Sequence, residues 1–204
     1  MNMKHMRILE QRFLSLYPKG FDSPEMKEAG KKHKVDKMEQ MAKEVLSKES
    51  LNQVGAINGI VKLITRSSLV SLFEKTRFRN LINEADDLFK QDIVDAVYTM
   101  IHENQAQGFD RLVSLLAPYK MAKWPILSVL LFYLDGEYEV LVKPTTVKKV
   151  LSYLECTDIT YSPKASFAFY QKYRDMINIV KAQCDPRLSR NNGAFQAVFM
   201  LLLE

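Results

Sequence analysis

A chain of 204 residues, 47% hydrophobic and 26% charged, is long enough to bury one sizeable core and too apolar for wholesale disorder. Seven Gly and seven Pro leave little turn chemistry for an all-β protein, so the expected fold is mainly α. The net charge of +5 gathers at the start, where residues 1–50 hold 11 Lys or Arg against 8 acids, a surplus compatible with a nucleic-acid partner without requiring one.

Residues 3–17 place Met6, Leu9, Phe13 and Leu16 at helical spacing, and Tyr17-Pro18-Lys19-Gly20-Phe21 ends that helix. Ser23-Pro24-Glu25 then reads as N-cap, first-turn proline and first-turn acid. The spacing predicts one long helix from there, with Met38, Met41, Ala42, Val45 and Leu46 on a single face of its second half. Its first half, KEAGKKHKVDK, is polar nearly all round, and on a helix Lys27, Lys31 and Lys34 share one stripe while Glu28 and Lys32 form an i,i+4 pair. Together residues 1–48 read as a semi-detached helical hairpin.

Leu51, Val54, Ile57, Val61 and Ile64 predict a third helix, and Gly55 and Gly59 within it are spaced to let another helix approach. Helical patterns continue over 69–82 and 86–103, the latter with Leu88, Val94, Val97, Tyr98 and Ile101 as its buried stripe. After Gly108, two more helices are expected near 109–117 and 124–134, the second opened by Trp124-Pro125, with Trp124 as a core anchor. Further helices follow from Thr145 or Thr146 to Glu155, from Ser162-Pro163 to about Gln183, and over 194–204. The expectation is a single compact multi-helix domain over 1–204, with at most one short extended segment near 138–143.

The segment FYLDGEYEVLVKPTTVKKVL (132–151) breaks the pattern. As a strand, its Glu137, Glu139, Leu141 and Lys143 would share a face, a set that metal-dependent nucleases use. But Glu139 and Lys143 are four residues apart, about 13 Å along an extended chain, too far for one small metal centre. The simpler reading is a turn at Asp135-Gly136, a connector with Val140 and Val142 packed inward, and a helix capped by Thr145 or Thr146. Lys148 and Lys149 near that helix start, with its free N–H groups, suit a phosphate, or else simply point to water. FEKTRFRN (73–80) interleaves aromatic and basic residues as a stacking surface would, although Phe73 and Phe78 are equally placed to be core.

Three blocks, SLFEKTRFRN, AKWPILSVLLFYL and VLVKPTTVKKVL, followed by ITYSPKASFAFYQKY, resemble a group of prokaryotic proteins of no established activity, over roughly residues 67–180. The resemblance implies no site and no substrate.

His5, His33 and His102 are dispersed, Cys156 and Cys184 read as free thiols of an intracellular protein, and no phosphate-loop, dinucleotide or nucleophile-elbow motif occurs. No catalytic residue, metal or cofactor is therefore expected. The N-terminus lacks the apolar stretch of a signal peptide and the longest apolar runs are far short of a membrane span, so the expected location is the cytoplasm, with no membrane partner. The leading expectation is a non-catalytic accessory protein contacting nucleic-acid phosphates, with Lys27, Lys31, Lys34, Arg77, Arg79, Lys143, Lys148 and Lys149 as candidates. A helical adaptor or homodimer is the alternative, with Phe195, Phe199 and Leu202 of the apolar last helix as interface candidates. An enzyme with dispersed carboxylates is the third.

Overall fold

The structure is a computed structural model that describes residues 1–203. Trp124–Leu134 (α9) forms its axis, because every residue from Trp124 to Tyr133 is buried. A helix that is apolar on all sides must be enclosed by others. Val35–Val45 (α3), Ala56–Arg66 (α5) and Gln105–Leu116 (α8) all pack on it. Trp124 anchors its start, with the indole Nε1–H donating to the Ser162 carbonyl at 2.8 Å.

The remaining helices close around this axis. Asp87–His102 (α7) and α8 make a tight helical hairpin, and Leu72–Glu84 (α6) lies on α5. Met3–Leu16 (α1) and Pro144–Tyr153 (α10) both pack on Asn192–Leu202 (α12), and Phe167–Ala182 (α11) bridges α8 and α12. The short helices Pro24–Lys31 (α2) and Lys48–Leu51 (α4) complete twelve α-helices, with no strand among the described residues. One buried cluster runs from Met6 to Leu202, and the first 48 residues contribute Met6, Leu9, Phe13, Met26, Met38, Ala42 and Leu46 to it. No described helix is long and apolar enough to cross a membrane.

Several expected boundaries move, each for a local reason. The long helix after Ser23 is two helices, α2 and α3, broken at Lys32-His33-Lys34, where Lys34 takes a left-handed φ of 47° and stands as the N-cap of α3. That run has no apolar stripe to hold a continuous helix against the body, so Lys27 and Lys31 do not share a helix with Lys34. The predicted helix over 50–64 likewise splits into α4 and α5, with Gly55 at φ 80° between them and Val54 fully exposed in the loop. Gly59 does provide the expected close approach: a Cβ there would meet Val45 Cγ1 at 2.9 Å. Leu88 is 74% exposed, since nine residues separate it from Val97 and half a helical turn places it on the opposite face.

Further along, Lys143 rather than Thr145 or Thr146 is the N-cap of α10, with Pro144 in the first turn. Ser166, not Ser162, caps α11, its side chain accepting from the Phe169 N–H. Of the segment 138–143, Tyr138 and Glu139 belong to a turn whose N–H groups donate to the Asp135 carbonyl, residues 140–143 pair with no strand, and Val140 and Val142 are fully buried as the connector reading expects.

The α7–α8 hairpin yields a sharp expectation. A Cβ at Gly108 would collide with the backbone of Met100, whereas nothing lies within 4 Å of one at Gly30. Gly108→Ala should therefore lower stability by about 3 kcal/mol. Gly30→Ala in exposed α2 should raise it by about 0.5–1 kcal/mol. Thermal melts of the two variants beside the parent would check both signs.

A basic, aromatic candidate nucleic-acid interface

The connector of residues 135–143, a turn as far as Glu139 and an unpaired segment after it, is held mainly by its backbone. Asn192 Nδ2 donates to the carbonyls of Tyr138 and Glu139 at 2.8 and 3.2 Å, and Asn178 Nδ2 donates to that of Tyr138 at 2.8 Å. Lys181 Nζ donates to the Glu137 carbonyl, and the Val142 N–H donates to Ser128 Oγ at 3.0 Å. The bonds to the Glu139 carbonyl and from the Val142 N–H are buried, where the chain would otherwise leave those groups unpaired.

Glu139 then turns inward. Its carboxylate accepts from the Tyr170 hydroxyl and from Gln105 Nε2, both at 2.7 Å, and from Arg174 Nη1 at 3.2 Å to each oxygen. The side chains of Arg174 and Glu139 are only 6% and 8% exposed, and the guanidinium lies 4.5 Å from the centre of the Tyr138 ring. Burial, with the Glu139 charge adding to it, holds the Tyr170 phenol well above its ordinary range, so it donates as a neutral hydroxyl. Every strong acceptor position of this carboxylate is filled by the protein itself, which makes it an anchor. Glu139 was singled out by the sequence; Arg174, 35 residues on, and Gln105 were not.

The anchored connector delivers Lys143 to the start of α10. Its half-buried side chain makes no cap, and the N–H groups of Thr145 and Thr146 have no protein acceptor. Lys32 and His33 lie in the turn between α2 and α3, near enough to Lys143 for the charges to repel, and His33 Nδ1 sits 2.9 Å from Ser68 Oγ. Burial first, and the neighbouring Lys32, lower the Lys143 pKa against an opposing pull from Glu74. Burial together with Lys32 and Lys143 lowers that of His33. Glu74 itself is engaged, accepting from Ser71 Oγ at 2.7 Å in the capping box that opens α6. Among the described residues no carboxylate lies within ion-pair distance of Lys32 or Lys143.

Beside this cluster the first turn of α6 turns apolar side chains outward. Phe73 is 68% exposed and Leu72 80% exposed, while Phe78 and Ile82 of the same helix are buried. The Arg77 guanidinium lies 5.4 Å from the centre of the Phe73 ring, and Arg79 follows Leu72 along the exposed side, seven residues on. The sequence left Phe73 open between core and stacking surface; the structure puts it outside.

The other candidate cations go elsewhere. Lys27 pairs with Asp22 at 3.3 Å and Lys31 with Glu28 on the next helical turn, while Lys34 is exposed at the α3 start. Lys148 lies over the Tyr161 ring at 5.3 Å, and Lys149 donates to the Leu203 carbonyl. With Arg12, which donates to the Leu202 carbonyl at 3.1 Å, these lysines border an open cleft of about 740 Å³ at the end of α12. There they satisfy helix C-terminal carbonyls and the negative end of the helix dipole. Phe195, Phe199 and Leu202 are buried within the fold, and the exposed apolar residues of α12 are Met200 and Leu201. No group of three His, Cys, Asp or Glu side chains stands at metal-binding distance among the described residues.

Fold and surface together define an all-α protein with a basic, aromatic face built from the α2–α3 turn, the start of α6 and the start of α10. Comparison with protein-family models, with curated proteins and with solved structures finds no match.

Removing one partner of the Glu139–Arg174 pair leaves a buried charge uncompensated, which costs about 3–5 kcal/mol. Arg174→Met should destabilise by about that much, and adding Glu139→Gln to it should recover part of the loss. Urea denaturation of the single and double variants measures the difference; equal losses would mean the pair is not coupled.

Proposed function

We propose that this protein is a non-catalytic binding protein for single-stranded nucleic acid, and that the face around Lys143 and Phe73 is its binding surface. The observation that carries this reading is Phe73, an aromatic ring left mostly exposed with a guanidinium beside it. Leaving a Phe ring in water forgoes about 2 kcal/mol of burial. A base stacked on the ring recovers about 1–3 kcal/mol and does so with any base. The flanking Lys32, Lys143, Arg77 and Arg79 are the charges a phosphate backbone needs, and Lys143 and Lys32 have no carboxylate partner to compete among the described residues.

An anion at this place would also reverse what burial does to Lys143 and His33. It would raise both pKa values and favour the protonated imidazole, so binding should tighten as pH falls through the ordinary histidine range, about 6.5.

A second reading has its own observation. Ile8 and Leu16 on α1 and Met200 and Leu201 on its neighbour α12 are 40–58% exposed, the kind of surface a second copy or another helical protein would cover. Light scattering tests it: a monomer of 23.6 kDa at all micromolar concentrations removes the homodimer.

With about four phosphate contacts on a single strand, log K against log salt should fall with a slope near −3. Phe73→Ala should weaken binding about tenfold with that slope unchanged, because stacking releases no counterion. Arg77→Gln should reduce the slope by about 0.7. Fluorescence titration across a salt series reads all three, and failure of single-stranded DNA and RNA to bind at physiological salt would refute the proposal.

A further inference from the structure

The open cleft at the end of α12 shares no residue with the Phe73 face, and its volume of about 740 Å³ is ordinary for a small-molecule site. Arg12 from α1 and Lys148 and Lys149 from α10 line it together with Ser152, and no carboxylate does so among the described residues. None of the three cations takes part in an ion pair among those residues. Two of them are pinned by neutral partners, Arg12 Nη1 on the Leu202 carbonyl at 3.1 Å and Lys149 Nζ on that of Leu203. The C-terminal end of a helix supplies only about half a negative charge, so most of the positive charge in the cleft is uncompensated. Donors are left over as well. The Nε–Nη2 edge of Arg12, two hydrogens of the Lys149 ammonium and the Ser152 hydroxyl have no protein acceptor among the described residues. Lys148 is exposed and lies over the Tyr161 ring at 5.3 Å.

We propose that this cleft binds a phosphate monoester carried on a small organic group. Such an ester brings nearly two negative charges at neutral pH and three accepting oxygens, whereas a carboxylate brings one charge and two oxygens. The free edge of Arg12 has the fork geometry for two parallel bonds to one phosphate. Lys148 and Lys149 add point charges, and Ser152 adds a neutral donor. Tyr153 and Leu203 give the carrier group an apolar wall. Because the cations come from α1 and α10, the ligand ties those two helices together across the end of α12, and the bound protein should melt at a higher temperature.

Calorimetric titration of the full chain with phenyl phosphate should show saturable binding about tenfold tighter than with benzoate. That binding should tighten as pH rises through about 6, where the phosphate loses its second proton. Vesicles of phosphatidylcholine with and without phosphatidic acid test the source of the ester. Binding to phosphatidic acid alone assigns the group to a lipid headgroup, and binding to phenyl phosphate alone assigns it to a soluble molecule; either supports the site. Arg12→Gln and Lys149→Gln also free the last carbonyls of α12, so they should lower the melting temperature even without ligand. Lys148→Gln disturbs no such carbonyl. It should leave the unliganded melt unchanged and weaken the ester about fivefold, the upper range for one exposed charge pair. Glu204→Gln, which removes the acid next in sequence, should bind at least as tightly, and Phe73→Ala should bind the ester unchanged. No saturable binding to either probe, an affinity that benzoate matches, or an affinity unaltered in Lys148→Gln overturns the proposal and leaves the single-strand reading intact.

Discussion

The buried pair between Glu139 and Arg174 is the contact on which the functional face depends. Two charges withdrawn from water are tolerated only when their remaining hydrogen-bonding positions are filled. Here Tyr170, Gln105 and the Tyr138 ring fill them. The pair ties three parts of the chain to one point: the start of α8 through Gln105, the middle of α11 through Tyr170 and Arg174, and the connector through Glu139. With its register fixed there, the connector places Val140 and Val142 in the core and sets Lys143 at the mouth of α10. The surface cation owes its position to a salt bridge buried four residues before it.

The apolar axis and this polar clamp divide the labour of the fold. α9 supplies non-directional burial, which tolerates sliding of the helices packed around it. The clamp is directional and admits one arrangement, because a carboxylate shifted by one residue along the connector would lose the Tyr170, Gln105 and Arg174 donors that converge on it. Burial thus accounts for most of the stability, and the clamp for the uniqueness of the connector's path. The terminal helix is fastened by a third means, two cations on its last carbonyls, which suits a segment whose end projects toward the open cleft of Arg12 and Lys149.

What the sequence made legible follows this division. Periodicity identified α1, α7, α9 and α12, whose apolar residues recur in their own neighbourhood, and the turn at Asp135-Gly136 with its inward valines was readable from composition alone. The break at Lys32–Lys34 was not, because charged residues are all compatible with a helix and only the absence of a partner surface ends it. Leu88 and Val54 are apolar without being buried, because Leu88 lies on the outer side of α7 and Val54 in the loop before Gly55. At the site, Arg77, Arg79 and Lys143 were visible as basic residues, but their gathering with Lys32 and His33 arises from three segments far apart in the chain. No local pattern announces that Glu139 will meet Arg174. The exposure of Phe73 was equally out of reach, since an aromatic residue beside Phe78 on one helix looks the same to periodicity whether it faces in or out.

The side-chain amides of Asn178 and Asn192 grip the connector by its carbonyl oxygens. A carbonyl is common to every residue type, so this grip does not itself inspect the side chains at 138 and 139, which are tied separately through Arg174. A single change at either distant asparagine would loosen the path of the chain without touching them. Part of the information that shapes this segment is thus stored some 40 to 54 residues away from it, and a comparison of diverged sequences would find the connector's constraint written in α11 and α12 as well as in the connector itself.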